Sequence, residues 1–193
     1  MLEQSDRSRL LELARDSIAR GLNSAAPEPL PEGEWPSGLL VPTAAFVTLT
    51  LSGELRGCRG TTEPQHSLAE EVWRSAWLSA FADPRFLPMA VEEVGSLRIA
   101  VSVLTALEPI ACTSEAELVA SLVPGVDGLV LRCGAARATF LPAVWQSVNE
   151  PREFVRQLRR KAGLYGSSWP AGMAAFRYRT ETFASGAGAA LAA

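Results

Sequence analysis

Ala44-Ala45-Phe46-Val47-Thr48-Leu49-Thr50-Leu51-Ser52-Gly53-Glu54-Leu55-Arg56-Gly57-Cys58-Arg59-Gly60-Thr61 is the stretch whose reading decides the fold. Its first half alternates: Ala45, Val47, Leu49 and Leu51 share one face, and Phe46, Thr48 and Thr50 the other. That period predicts a strand over 40–51, and bulk on both faces predicts an internal one. Ser52-Gly53 is a hairpin-turn signal. The run Leu55 to Thr61 then reads as a loop at the end of the return strand. Two glycines flank Cys58, with Arg56 and Arg59 on either side. Glycine tolerates positive φ and close backbone approach. A thiolate is the reactive form of cysteine, and neighbouring arginines favour it. The alternative is a small buried cysteine in a tight turn, an ordinary use of this residue.

Working outward, Leu10, Leu11, Ala14, Ile18 and Leu22 recur at helical spacing and predict a helix over 5–22. Pro27, Pro29, Pro31 and Pro36 make 24–38 an extended connector, with Trp35 as its anchor. Ser67 and Glu70 form a capping box that opens a helix reaching Ala82. Its start lies a few residues after Cys58. A helix N-terminus facing the loop would favour an anion there. Asp83-Pro84-Arg85-Phe86 stops that helix. A short helical piece follows near 90–94, then a half-buried strand over 97–104. Ser114 and Glu117 cap a short helix, 128–141 is a second hairpin, and Glu150-Pro151 opens a last helix. Arg156, Arg159, Arg160 and Lys161 crowd its final turns, where cations suit the helix dipole and form a solvated face. Residues 176–183 read as one closing strand, and 184–193 as a flexible Gly/Ala tail. Hairpins without βαβ alternation indicate an α+β fold, a mostly antiparallel β-sheet flanked by helices.

The heptapeptide also carries a resemblance. Leu55-Arg56-Gly57-Cys58, with Gly60 after one intervening residue, is similar to the signature of the AMMECR-type domain family. Ala45-Phe46-Val47-Thr48-Leu49 resembles the strand before it. Asp83-Pro84-Arg85-Phe86, Val101-Ser102-Val103-Leu104, Asp127-Gly128-Leu129-Val130, Phe140-Leu141-Pro142, Val144-Trp145 and Lys161-Ala162-Gly163-Leu164 follow in the family's order. The resemblance implies a single domain over 1–183 with a smaller inserted lobe, placed here within 105–125. In bacteria and archaea the family includes protein A of the AmmeMemoRadiSam system. It therefore implies a Memo-like protein and a radical S-adenosylmethionine enzyme as partners, but no reaction. Two positions depart from the family pattern: Arg59, where an apolar residue is usual, and Arg159, where many members carry a second cysteine.

Composition narrows the classes. A net charge of −3 and a pI near 5.3 argue against a dedicated nucleic-acid binder. Cys58, Cys112 and Cys133 are too widely spaced for a zinc site and are odd in number, which argues against a disulfide framework and fits a reducing cytoplasm. There is no apolar run of membrane-spanning length and no signal-peptide pattern. Phosphate loops, nucleophile elbows and zinc-protease helices are missing, and no cofactor is expected. Two readings stay open. In one, the chain is an accessory that presents Leu55–Thr61 to its partners. In the other, it is an enzyme using Cys58 as nucleophile or redox thiol at an inter-lobe cleft, assisted by Arg56. Gly57, Arg59, Gly60, Thr61, Asp83 and Arg85 are the expected binding residues. His66 is the sole histidine and therefore the sole histidine base available to a Cys–His pair, though it is as well placed to be an exposed residue at a helix entry.

Overall fold

A computed structural model describes residues 1–166 and 168–185 of the chain. In order, the elements are α1 (Gln4–Gly21), β1 (Ala45–Leu51), β2 (Glu54–Gly60), α2 (Leu68–Phe81), α3 (Val91–Val94), β3 (Leu97–Leu104), β4 (Glu108–Ile110), α4 (Glu115–Ser121), β5 (Gly128–Cys133), β6 (Ala136–Phe140), α5 (Pro151–Lys161), β7 (Ala174–Tyr178) and β8 (Thr180–Ala184). They form the expected α+β fold, with two antiparallel four-stranded sheets ordered β2-β1-β3-β8 and β4-β7-β5-β6. The described chain divides into two compact units, Met1–Leu104 together with residues 181–185, and Thr105–Thr180. Segment 105–125 falls within the second of these units. Its strand β4 pairs with β7, Glu108 opposite Arg177 and Ile110 opposite Ala175, which ties it to the end of the second unit.

In the first unit β1 is internal, as its two-faced bulk requires. It pairs with β2 (Thr48 opposite Cys58) and with β3 (Val47 opposite Val101). Val47, Leu49, Ile99 and Val101 are buried in one core with Leu10, Ala14 and Ile18 of α1 and Val72, Trp73 and Ala76 of α2. The connector is tied down where the Trp73 Nε1–H donates to Glu28 O at 2.7 Å. Trp35 packs on the same core, with the Arg9 guanidinium 4.7 Å above its ring. The strand begins at Ala45 rather than 40 because Ser37–Leu40 turn as a 3-10 helix. Ser67 caps α2 by accepting from Glu70 N–H at 3.3 Å. Ser114 does the same for α4, but the Glu117 carboxylate reaches back to Thr113 N–H rather than to the cap residue.

In the second unit β5 lies between β6 and β7. Leu129 and Leu131 share a core with Trp145, Phe154, Val155 and Leu158. The single strand expected over 176–183 is in fact two. At Arg179 the backbone N–H donates to Thr105 Oγ1 at 2.9 Å, and the chain passes from β7 in one sheet to β8 in the other. Ala184 closes β8, and Ser185 N–H still donates to Ile99 O at 2.9 Å. The remainder of the expected tail, 186–193, lies outside the described residues.

Candidate functional site

The signature is a strand and not a loop. Glu54–Gly60 forms β2, the edge strand beside β1. The glycines mislead as turn signals, because neither Gly57 nor Gly60 has positive φ. They are needed for space. A Cβ on Gly57 would lie 2.0 Å from Ser79 O, on the backbone of α2. One on Gly60 would lie 2.2 Å from Ala45 O. Glycine at 57 therefore lets helix and strand touch main chain to main chain. Leu55 and Arg59 face outward, while the Cys58 thiol is half-buried, 3.3 Å from the Thr48 hydroxyl across the ladder. Thr61 ends the strand: its N–H donates to Ala45 O and its hydroxyl accepts from Glu63 N–H at 3.0 Å.

An edge strand leaves backbone N–H groups without a ladder partner. Here α2 and the residues after it supply them. Arg59 N–H donates to Ser79 Oγ at 2.8 Å, and Cys58 N–H donates to Asp83 Oδ2 at 2.9 Å. Glu71, Ser75, Ser79 and Asp83 are all buried, and four-residue spacing places the three helical ones on one face of α2. Ser75 donates to Glu71 Oε1 at 2.6 Å. Burial pushes the Glu71 carboxyl up, opposed by the Ser75 hydrogen bond and by the charges of His66 and Arg74. This polar stripe escapes a reading that looks only for the apolar face. Its signal is the period-four run Glu71, Ser75 and Ser79 along α2, continued by Asp83 just past its end.

Asp83 and Arg85 form one clamp. The Asp83 carboxylate accepts from Arg85 Nη2 at 2.6 Å, Arg85 Nε at 2.9 Å and Arg85 N–H at 3.2 Å. The Arg85 guanidinium, aided by the N–H groups of Cys58 and Arg85, holds that carboxyl far below the usual range against the cost of burial. Arg85 Nη2 also lies 3.5 Å from Cys58 O. Arg56 forms a second clamp. Its Nε and Nη2 donate to the two carboxylate oxygens of Glu93 at 2.6 and 2.9 Å, and Nη2 donates to Leu87 O at 3.0 Å. Glu93 also accepts from Ala90 N–H at 2.8 Å. The partner of Arg56 is thus Glu93, on α3, rather than the sequence neighbours Glu54 or Glu63. Outside this clamp, Leu55, Leu87 and Val91 are 42%, 84% and 63% exposed.

The geometry assembles Cys58, Arg56, Gly57, Asp83 and Arg85, with Arg59, Gly60 and Thr61 continuing the strand. It reverses one expectation. The end of α2 that meets β2 is the C-terminal end, through Ser79 and then Asp83, while its N-terminus bonds the Val41 region through Leu68 N–H. A helix C-terminus carries the negative end of the dipole and disfavours an anion beside it. His66 is paired with Glu70, Nδ1 to Oε1 at 3.4 Å. No group of three or more His, Cys, Asp and Glu side chains that could hold a metal occurs among the described residues. No helix among them is long and apolar enough to cross a membrane.

Comparison with known proteins gives the chain's family. The AMMECR1 family model matches residues 11–183, and the chain belongs to that family. A protein of Thermofilum pendens is 35% identical over 188 residues, covering 90% of this chain and 87% of its own. One from Methanothermobacter thermautotrophicus is 35% identical over 164 residues, covering 84% and 85%. The crystal structure of an uncharacterized protein from Pyrococcus horikoshii superposes with a TM-score of 0.89 at 29% identity, over 98% of this chain and 96% of that one.

Proposed function

We propose, from membership of the AMMECR1 family, that the chain is a cytoplasmic accessory protein. Its partners are a Memo-like protein and a radical S-adenosylmethionine enzyme, and it docks on them through β2 and the 84–94 segment clamped to it. One observation carries the reading. The polar groups that a nucleophile at Cys58 would draw on are engaged within the fold, Arg56 through Nε and Nη2 by Glu93 and Asp83 by Arg85 and Cys58 N–H, while apolar Leu55, Leu87 and Val91 face solvent around them. Clustered exposed apolar side chains mark interaction surfaces. The test is co-purification with both candidate partners encoded in the same genome, comparing wild type with a Leu87→Glu/Val91→Glu double variant. Both positions are exposed, so the variant keeps its fold. Capture by wild type and at least tenfold weaker capture by the variant support the reading. Capture of neither partner by wild type overturns it.

A second reading, an enzyme using Cys58 as nucleophile or redox thiol, rests on the placement of Arg85. The guanidinium reaches the Cys58 carbonyl, Nη2 lying 3.5 Å from its oxygen. It requires Cys58 to alkylate much faster than Cys112 and Cys133 at pH 7, read by mass spectrometry. Equal rates dispose of it.

A further inference from the structure

The four cations at the end of α5 do not form the uniform solvated face that their spacing suggests. Arg159 is buried, its side chain only 7% exposed. It ion-pairs with Glu115 through Nη1, and Nη2 donates to Gly166 O at 3.0 Å and to Ser168 O at 2.8 Å. Its Nε is buried with no acceptor. Arg156 and Arg160 stay exposed, four residues apart and therefore on one side of the helix. Beside them is a cavity of about 220 Å³ lined by Arg156, Arg159, Arg160, Leu164, Tyr165 and Gly166. Among the described residues, three guanidiniums line it and no carboxylate does.

A helix C-terminus normally repels an anion because its last carbonyls are open. Here the end is closed by a Schellman motif. Gly163, with φ +75°, donates its N–H to Arg160 O at 2.9 Å, and Leu164 N–H donates to Arg159 O at 2.9 Å. Two carbonyls of the last turn are thereby consumed. The returning chain is held over the helix end by Arg159, so that guanidiniums form the wall. Glu115 pairs with Arg159 and Glu153 with Arg156; Arg160 makes no ion pair within contact distance among the described residues, although the Glu153 charge acts on it as well. Arg156, 58% exposed, is free to exchange Glu153 for a ligand. Tyr165, 81% exposed, offers a ring at the mouth.

The geometry points to this cavity as a binding site for a phosphate-bearing small molecule, with Arg156 and Arg160 on the phosphate and Tyr165 against the organic group. Planar guanidinium donors match phosphate oxygens bidentately. A space of this size exceeds what a bare phosphate fills.

The experiment is isothermal titration of the full chain with inorganic phosphate and, separately, with adenosine monophosphate, at low ionic strength. Both are expected to bind, the nucleotide more tightly. Arg160→Ala is expected to weaken both at least tenfold. Tyr165→Ala is expected to weaken only the nucleotide. Arg152→Ala removes the same charge from the far end of α5 and is expected to leave both unchanged. Phosphate binding without any gain for the nucleotide reassigns the site to the free ion and overturns the organic half of the proposal. Absence of millimolar binding, or equal losses in the Arg152 and Arg160 variants, overturns the whole.

Discussion

Substituting Gly57 by alanine tests whether the signature is shaped by contact with α2. The added Cβ would meet Ser79 O at 2.0 Å and Ser79 C at 2.9 Å, both backbone atoms that no rotamer change can move. Ordinary contact begins near 3.4 Å, so the helix must retreat by about 1.4 Å. That retreat carries the Arg59 N–H to Ser79 Oγ bond, 2.8 Å in the native fold, out of range, and it strains the Cys58 N–H to Asp83 bond. Overpacking of this kind costs about 1–3 kcal/mol. Leaving backbone donors unmet adds about 1–2 kcal/mol. The sum, about 2–5 kcal/mol, is a large part of the ~5–15 kcal/mol by which domains are stable. Gly95→Ala is the matched control. Gly95 has helical backbone angles, φ −64° and ψ −27°, with nothing within 4 Å of its Cβ position. It should be neutral or stabilising by about 0.5 kcal/mol, since alanine restricts the unfolded chain. Urea unfolding followed by far-ultraviolet circular dichroism measures both. A Gly57→Ala protein within about 1 kcal/mol of wild type would refute the close-contact account of the signature.

The carboxylates give opposite pH signatures. Asp83 has a folded pKa depressed by Arg85, so its contribution is present above the unfolded value near 3.9 and is lost as pH falls toward the folded one. Asp83→Asn should therefore cost about 2 kcal/mol at pH 7, a figure discounted because Arg85 is half exposed. The variant should also flatten the loss of stability of wild type between about pH 4 and 2; an unchanged acid limb counts against the clamp. Glu71 is raised by burial, so its contribution is present below the unfolded value near 4.3 and is lost as pH rises through the folded one. Glu71→Gln should be more stable than wild type at pH 8, by about 1 kcal/mol, and equal to it near pH 4; a less stable variant at pH 8 contradicts this. Cys112 is raised by burial and then by Glu117, so its alkylation at pH 8 should be slower than that of a free thiol and faster in Glu117→Gln. Mass-spectrometric rates decide the point.

Much of this architecture could be read from the residues because the determinants are local. The alternation of Ala45, Val47 and Leu49, the turn at Ser52-Gly53 and the cap at Ser67 each depend on neighbours a few positions away, and each element formed where they placed it. What escaped depends on contacts distant in sequence. Nothing near Gly57 announces that Ser79 O will come within a Cβ radius, so its glycine reads as a turn. Nothing near Arg56 announces its acceptor: the bidentate carboxylate belongs to Glu93, and only the pairing of β1 with both β2 and β3 sets the surroundings in which they meet. Arg159 reads as one of four surface cations because the helical wheel cannot show that Glu115 lies beneath it. The break at Arg179 is invisible to a period-two pattern, since residues 176–183 alternate smoothly while their partners change from one sheet to the other. The common cause is that a glycine, an arginine and a strand each state a requirement locally, whereas the group that meets it is chosen by topology. The buried stripe of Glu71, Ser75, Ser79 and Asp83 is the informative intermediate. Its spacing was present in the sequence, and its meaning follows once an edge strand with unmet N–H groups is set beside it. The signature strand and the polar face of α2 are therefore two halves of one device, and a substitution in either half should be judged by what it does to the other.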